Sequence, residues 1–165
     1  MSNILSMQFL ADLEAEAPAS RKCLERIPEN LFKYKPHEKS MPMGYLASIV
    51  ADIPRWIVIM VKSNEIDFVK SRHDEPKTTQ DLVKFFDEHM KSVRKALENT
   101  SDEALNETFF LKNNGQVVYS APKKDNISPS IRHLVHHRGQ LTVYMRLNNI
   151  PVPPIYGPSA DEQGF

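Results

Sequence analysis

Long stretches of helical hydrophobic periodicity, marked off by proline, constrain this chain more than any other feature. Among 165 residues there are 12 Pro and only 5 Gly. Glycine-poor segments with apolar residues three and four apart predict amphipathic helices. The first runs over residues 6–26, where Leu10, Leu13, Ala17, Leu24 and Ile27 recur at helical spacing. Pro18 inside it predicts a kink or a break, because its ring removes one backbone hydrogen bond. The second helix is expected over 41–63, with Ser40 as N-cap and Pro42 at an early position that tolerates a missing N–H. Tyr45, Ile49, Ile53, Trp56 and Met60 share one stripe of it, which should face the core. The third is expected over 79–99. There Thr78 followed by Asp81 resembles a capping box, and Leu82, Phe85, Phe86, Met90, Val93 and Leu97 form the apolar side. The fourth is expected over 129–148, capped by Ser128 with Pro129 at the first helical position. Ser101–Leu105 reads as one helical turn. Two β-rich runs, Thr108–Leu111 and Gln116–Tyr119, flank an Asn-Gly pair and suggest a short hairpin between the third and fourth helices. The Pro-rich tail from Ile150 to Pro158 should lie extended. The fold class expected is therefore all-α, a four-helix bundle with that hairpin inserted.

At about 150 residues per domain, the length predicts a single domain over 1–165, long enough to bury a core without covalent staples. Lys plus Arg is 21 and Asp plus Glu is 21. No basic excess is available to neutralise phosphates, so nucleic acid is not an expected partner. The single cysteine, Cys23, cannot make an internal disulfide, which suits a reducing cytoplasm. It reads as a small buried hydrophobe. The most apolar stretch, Tyr45–Val61, contains Asp52, Pro54 and Arg55 and does not read as a membrane span. The N-terminus lacks the positive start of a signal peptide. The expectation is a soluble cytoplasmic protein. No Gly-x-Ser-x-Gly turn supports a nucleophilic-serine hydrolase.

Chemistry concentrates in the histidines. Six are present, and three fall in the run Ile131-Arg132-His133-Leu134-Val135-His136-His137-Arg138-Gly139-Gln140-Leu141. His133 and His137 lie four apart on one helix face, a spacing at which two imidazoles can hold one divalent ion. The same spacing also suits two polar residues that hydrogen-bond or face solvent. Gln140 and Tyr144 continue their stripe; His136 points about 100° away. A catalytic zinc site ordinarily has three protein ligands and one open position, so a third ligand must come from another helix. His73 and His89 sit among charged neighbours and read as surface residues. Arg138 suits either an anionic ligand or an inter-helix salt bridge. Trp56 reads as core rather than as a platform for a ligand. Tyr144 either hydrogen-bonds near the histidine pair or packs.

Three stretches carry a resemblance to a known family: Lys35-Pro36-His37-Glu38-Lys39-Ser40-Met41, Leu46 through Trp56, and His133 through Arg146 with its His-x-x-x-His-Arg-Gly-Gln-Leu pattern. The closing segment from Pro151 to Glu162 also fits. The chain resembles the DinB-like superfamily, also called the YfiT-type metalloenzymes, over nearly its whole length. The resemblance implies a four-helix bundle, usually a homodimer. It also implies a divalent metal such as zinc or nickel held by three histidines, two of them matching His133 and His137. It puts the third in a Leu-Ala-x-His pattern of the second helix, where this chain has Ile49. Relatives include thiol-dependent S-transferases and isomerases.

Ile49 has no lone pair to give, so the site implied is incomplete. Asp52, about 60° around the helix from Ile49, and His37 are the substitutes to examine. Two readings follow. One is an enzyme performing metal-assisted transfer or hydrolysis. The other is a metal-free dimeric protein that binds a small-molecule ligand. Val143 and Leu147 form a second apolar set on the last helix, consistent with twofold self-association.

Overall fold

A computed structural model describes residues 2–71 and 76–164. Four long helices dominate: α1 (Ile4–Glu25), α2 (Met43–Lys62), α3 (Thr79–Glu98) and α5 (Lys123–Leu147), with the single turn α4 at Asp102–Leu105. Helix α2 packs on α3 and α5, and α1 closes the ring against the same two. The expected all-α class needs correction. Strands β1 (Glu65–Asp67), β2 (Thr108–Asn113) and β3 (Gln116–Pro122) form a three-stranded sheet in the order β1-β2-β3. The β2–β3 hairpin is the one expected. Asn114 and Gly115 both have positive φ, 49° and 82°, as a two-residue turn that matches the strands' twist requires. Strand β1 pairs in parallel with β2, Glu65 opposite Phe110. Three residues, two of them acidic, leave too little pattern to be seen in the sequence. What holds β1 there is tertiary: the Asp67 carboxylate accepts from the N–H groups of Asn114 (3.1 Å) and Gly115 (2.8 Å) at the hairpin tip.

Two helix starts differ from expectation for the same reason. Helix α2 begins at Met43, with Pro42 rather than Ser40 at the cap position. Its first N–H groups, on Met43 and Gly44, donate to the carbonyls of Tyr34 and Phe32, so no side-chain cap is needed. Helix α5 begins at Lys123, six residues before the expected Pro129, with Pro122 at its cap. The Lys123 N–H donates to Glu107 O, and the buried Lys123 ammonium pairs with Glu107 at 3.0 Å. Pro129 then sits inside the helix. The bond it cannot make belongs to the carbonyl of Asp125, an exposed residue whose carbonyl water can serve. Helix α1 likewise continues through Pro18, and α2 through Pro54. The capping box of α3 is present as read: Thr78 accepts from Asp81 N–H while Asp81 accepts from Thr78 N–H.

The core lies between the four helices. Val50, Ile53 and Ile57 of α2, Leu82 and Val93 of α3, and Leu134 and Leu141 of α5 are fully buried, each stabilising by about 1.5–3 kcal/mol relative to exposure. By length and composition α2 is apolar enough to cross a membrane; half of that stretch is buried inside the protein. The stripe expected to face the core divides: Ile53 and Met60 are buried, Ile49 and Trp56 are half-buried, and Tyr45 is 50% exposed. Its outer members line a cavity instead.

Candidate functional site

Helix α5 brings His133 and His137 together, one turn apart. Their Nε2 atoms lie 2.5 Å from each other, with ring centroids at 4.3 Å. His137 Nδ1 donates to Gln140 Oε1 at 2.8 Å. With that proton on Nδ1, His137 Nε2 presents a lone pair. The contact between the rings then requires the proton on His133 Nε2. Burial, followed by the charges of His137 and His136, holds the His133 pKa below its ordinary value, which favours a neutral His133. His136 is exposed.

The Gln140 contact has the form found behind metal-bound imidazoles, where the second ring nitrogen donates to a fixed acceptor. The rest of the arrangement does not fit a three-histidine centre. Ligand nitrogens on a tetrahedral zinc stand about 3.3 Å apart, farther than the 2.5 Å seen here. Among the described residues no third His, Cys, Asp or Glu joins the pair to make a metal-binding group. Ile49 offers only hydrocarbon. Asp52 is engaged elsewhere: it accepts from Trp56 Nε1 at 2.7 Å and from Arg55 at 2.5 and 2.8 Å. It also stands 3.9 Å from His89 on α3. His37 is exposed and accepts the Lys39 N–H within its own turn.

A cavity of about 150 Å³ is walled by Tyr45, Ile49, Trp56 and Met60 of α2 and by Phe109 and Leu111 of β2. It adjoins a second, wider hollow of about 460 Å³ that reaches Asp125, Asn126, Ser130 and His133 on α5. Trp56, Met60, Phe68 and Leu111 line both. The indole of Trp56 lies 5.7 Å from the His133 ring, so Trp56 is a wall of the site and not simply core. Sequence reasoning missed Phe68, Phe109 and Leu111 as parts of the site. Only the hairpin pattern pointed toward the latter two, and nothing in it indicated that the hairpin faces α2.

The remaining candidates are structural. Arg138, 1% exposed, makes the inter-helix salt bridge: its Nη2 meets Glu16 at 2.6 Å. Tyr144 donates to the Met41 carbonyl at 3.2 Å. Burial raises the Cys23 thiol pKa to about 11, so it is an inert core group. His89 is not a surface residue. Its Nδ1 donates to Ala51 O at 2.9 Å, tying α3 to α2. His73 lies outside the described residues.

The chain belongs to the DinB family, whose pattern it matches over residues 1–163. An uncharacterized protein of Bacillus subtilis strain 168, YrdA, is 28% identical over 159 residues, which cover 93% of this chain and 89% of that protein. Among solved structures, the DinB-like protein YjoA of Bacillus subtilis superposes with a TM-score of 0.71 at 17% identity, covering 96% of this chain and 99% of that one. A DinB-like protein of Bacillus cereus gives 0.70 at 20% identity, covering 90% and 95%. At those identities the structures establish a shared fold.

Proposed function

We propose that this DinB-family protein is a metal-independent, small-ligand-binding relative of the family's metalloenzymes. Its site is the apolar cavity beside α2, with the His133–His137 pair at the polar edge. The observation that carries this reading is the wall itself. Where a third ligand is called for, α2 presents Ile49 beside Trp56 and Met60, and the cavity they line has the apolar character of small-molecule sites. The pair then serves as a hydrogen-bonding and proton-holding group rather than as ligands. The four long helices are read as a bundle that pairs into a cytoplasmic homodimer. Val143 and Leu147, 56% and 58% exposed on the outer side of α5, suit such a contact. A single species of 18.9 kDa in sedimentation at micromolar concentration would remove the dimer.

A second reading, a metal-dependent transferase or hydrolase, draws on one observation. Gln140 already fixes the His137 tautomer that exposes an Nε2 lone pair. Zinc competition against a chelator, on protein purified without a metal-affinity tag, separates the two. Weak binding by the wild type is expected. Ile49→His should gain more than the 10–100-fold typical of an outer-shell partner, and the gain should fade as imidazoles protonate near pH 6. Tight stoichiometric zinc in the wild type would replace the first reading with the second.

A further inference from the structure

The dimensions and chemistry of the cavity narrow its ligand. We infer that it takes a monocyclic aromatic compound bearing an uncharged hydroxyl, a phenol in chemical class. The ring would lie between Ile49, Trp56, Met60 and Phe109, with the hydroxyl at His133. The inference rests on the small-ligand reading above and deepens it.

Size comes first. An apolar cavity of about 150 Å³ is the volume known to hold benzene in a protein core, and the inner cavity here is about 150 Å³. Apart from Ser71 its walls are apolar or aromatic side chains, and Trp56 and Phe109 offer the stacked and edge-on contacts that favour an aromatic guest. Trp56 is held in place, since its Nε1 donates to Asp52 at 2.7 Å.

The polar end is set by what the outer hollow leaves available. The Asn126 amide donates to the carbonyls of Ala121 and Pro122, and the Ser130 hydroxyl donates to Asn126 O. His133, Asp125 and the Tyr119 hydroxyl remain, with His133 nearest the Trp56 ring that the two spaces share. Among the described residues no Lys or Arg lines either space. Among the described lining residues an anionic head group meets the Asp125 carboxylate and no counter-charge, which disfavours it. His133 Nε2 is taken by His137, which leaves Nδ1 as an acceptor, and a hydroxyl can donate to it. Trp56 lines both spaces and its ring is 5.7 Å from that of His133, so a substituent on a guest held against Trp56 can extend into the hollow that His133 lines.

The chain has one tryptophan, so the single indole N–H signal in two-dimensional 1H–15N NMR reports the cavity directly. Titrations with p-cresol, toluene and benzoate, paired with calorimetry, form the test. The p-cresol should shift the Trp56 signal and bind at least about tenfold more tightly than toluene, the usual weight of a hydrogen bond made in a dry site. Benzoate should be weaker still. In His133→Ala, p-cresol and toluene should bind equally, the preference for p-cresol being lost. Ile49→Trp should block both, with a thermal melt verifying that the variant folds; Ile49→Phe is the milder filling if it does not. Equal binding of toluene and p-cresol, or preferred binding of benzoate, would overturn the phenol assignment while leaving the cavity reading standing. No binding of any of the three at millimolar concentration would overturn both.

Discussion

His137 and Arg138 are neighbours on α5, both buried, 6% and 1% exposed, and they face opposite fates. Arg138 turns toward α1 and the C-terminal tail. Its Nη1 donates to Glu16 O and Ser20 Oγ, and its Nη2 to Tyr156 OH and the Glu16 carboxylate. The Tyr156 ring lies 5.3 Å from the guanidinium carbon, and Tyr156 OH donates to Glu16 in turn. Beyond this cluster, Arg146–Asp161 and Arg26–Glu162 pairs fasten the tail across the helices. On the opposite side of α5, the His133–His137 pair has, among the described residues, one hydrogen-bond partner outside itself, Gln140, and His133 lines the hollow that adjoins the apolar cavity. A buried charge paired through both terminal nitrogens within its own chain, its Nε alone left without a partner among the described residues, is a structural element. A polar pair with a single hydrogen-bonded backing residue beside an apolar cavity is available to a guest. The difference separates scaffold from site on one helix.

The largest effect expected is on the Arg138 side. Glu16→Ala leaves that cation buried without its carboxylate and should cost about 3–5 kcal/mol in guanidinium unfolding, while the Trp56 indole signal stays where it is. A loss under about 1 kcal/mol, the level of an exposed pair, would erase the contrast. Next comes α2. Ile53→Ala, in the filled core, should cost about 2–5 kcal/mol. Ile49→Ala, against the void, should cost less than about 1.5 kcal/mol. Equal losses would mean that the cavity wall is ordinary core. A smaller effect is expected from pH. The folded His133 pKa lies below the ordinary 6.5, so the unfolded chain takes up this proton first as pH falls. The contribution is full above about pH 6.5 and is lost as pH drops through the folded value. The melting temperature should therefore decline between about pH 7 and 5, before carboxylates titrate, and His133→Gln should flatten that decline. A rise in the melting temperature over that range would contradict a neutral His133. Smallest is Cys23: with its thiol raised to about 11 by burial, it should resist a disulfide reagent at pH 8 until the protein is unfolded. Rapid labelling of the native protein would open the core that both sides share.

Features written in neighbouring residues were legible beforehand. Thr78 with Asp81, and Asn114 with Gly115, specify a helix start and a hairpin turn by local hydrogen bonding and permitted φ alone. The His133–His137 pairing follows from helical spacing. Features built from distant residues were not. The first N–H groups of α1, on Ile4, Leu5 and Ser6, donate to the Asp102 carboxylate, nearly a hundred residues away. His89 read as exposed because Asp87 and Glu88 precede it. Its position four residues from both Phe85 and Val93, on the flank that meets α2, was the signal that could have placed it inward.

The sequence alone therefore determined the four long helices, the hairpin, the pairing of His133 with His137 and the absence of a donor at Ile49. Each depends on periodicity, on turn chemistry or on the identity of one side chain. Only the tertiary structure decided that α5 starts at Lys123, that β1 joins the sheet, that Asp52 holds Trp56, and that Ile49 borders a cavity with Phe109 and Leu111 across it. Those outcomes depend on which backbone groups and side chains far apart in the chain satisfy one another once helices pack, and no local pattern encodes such a choice.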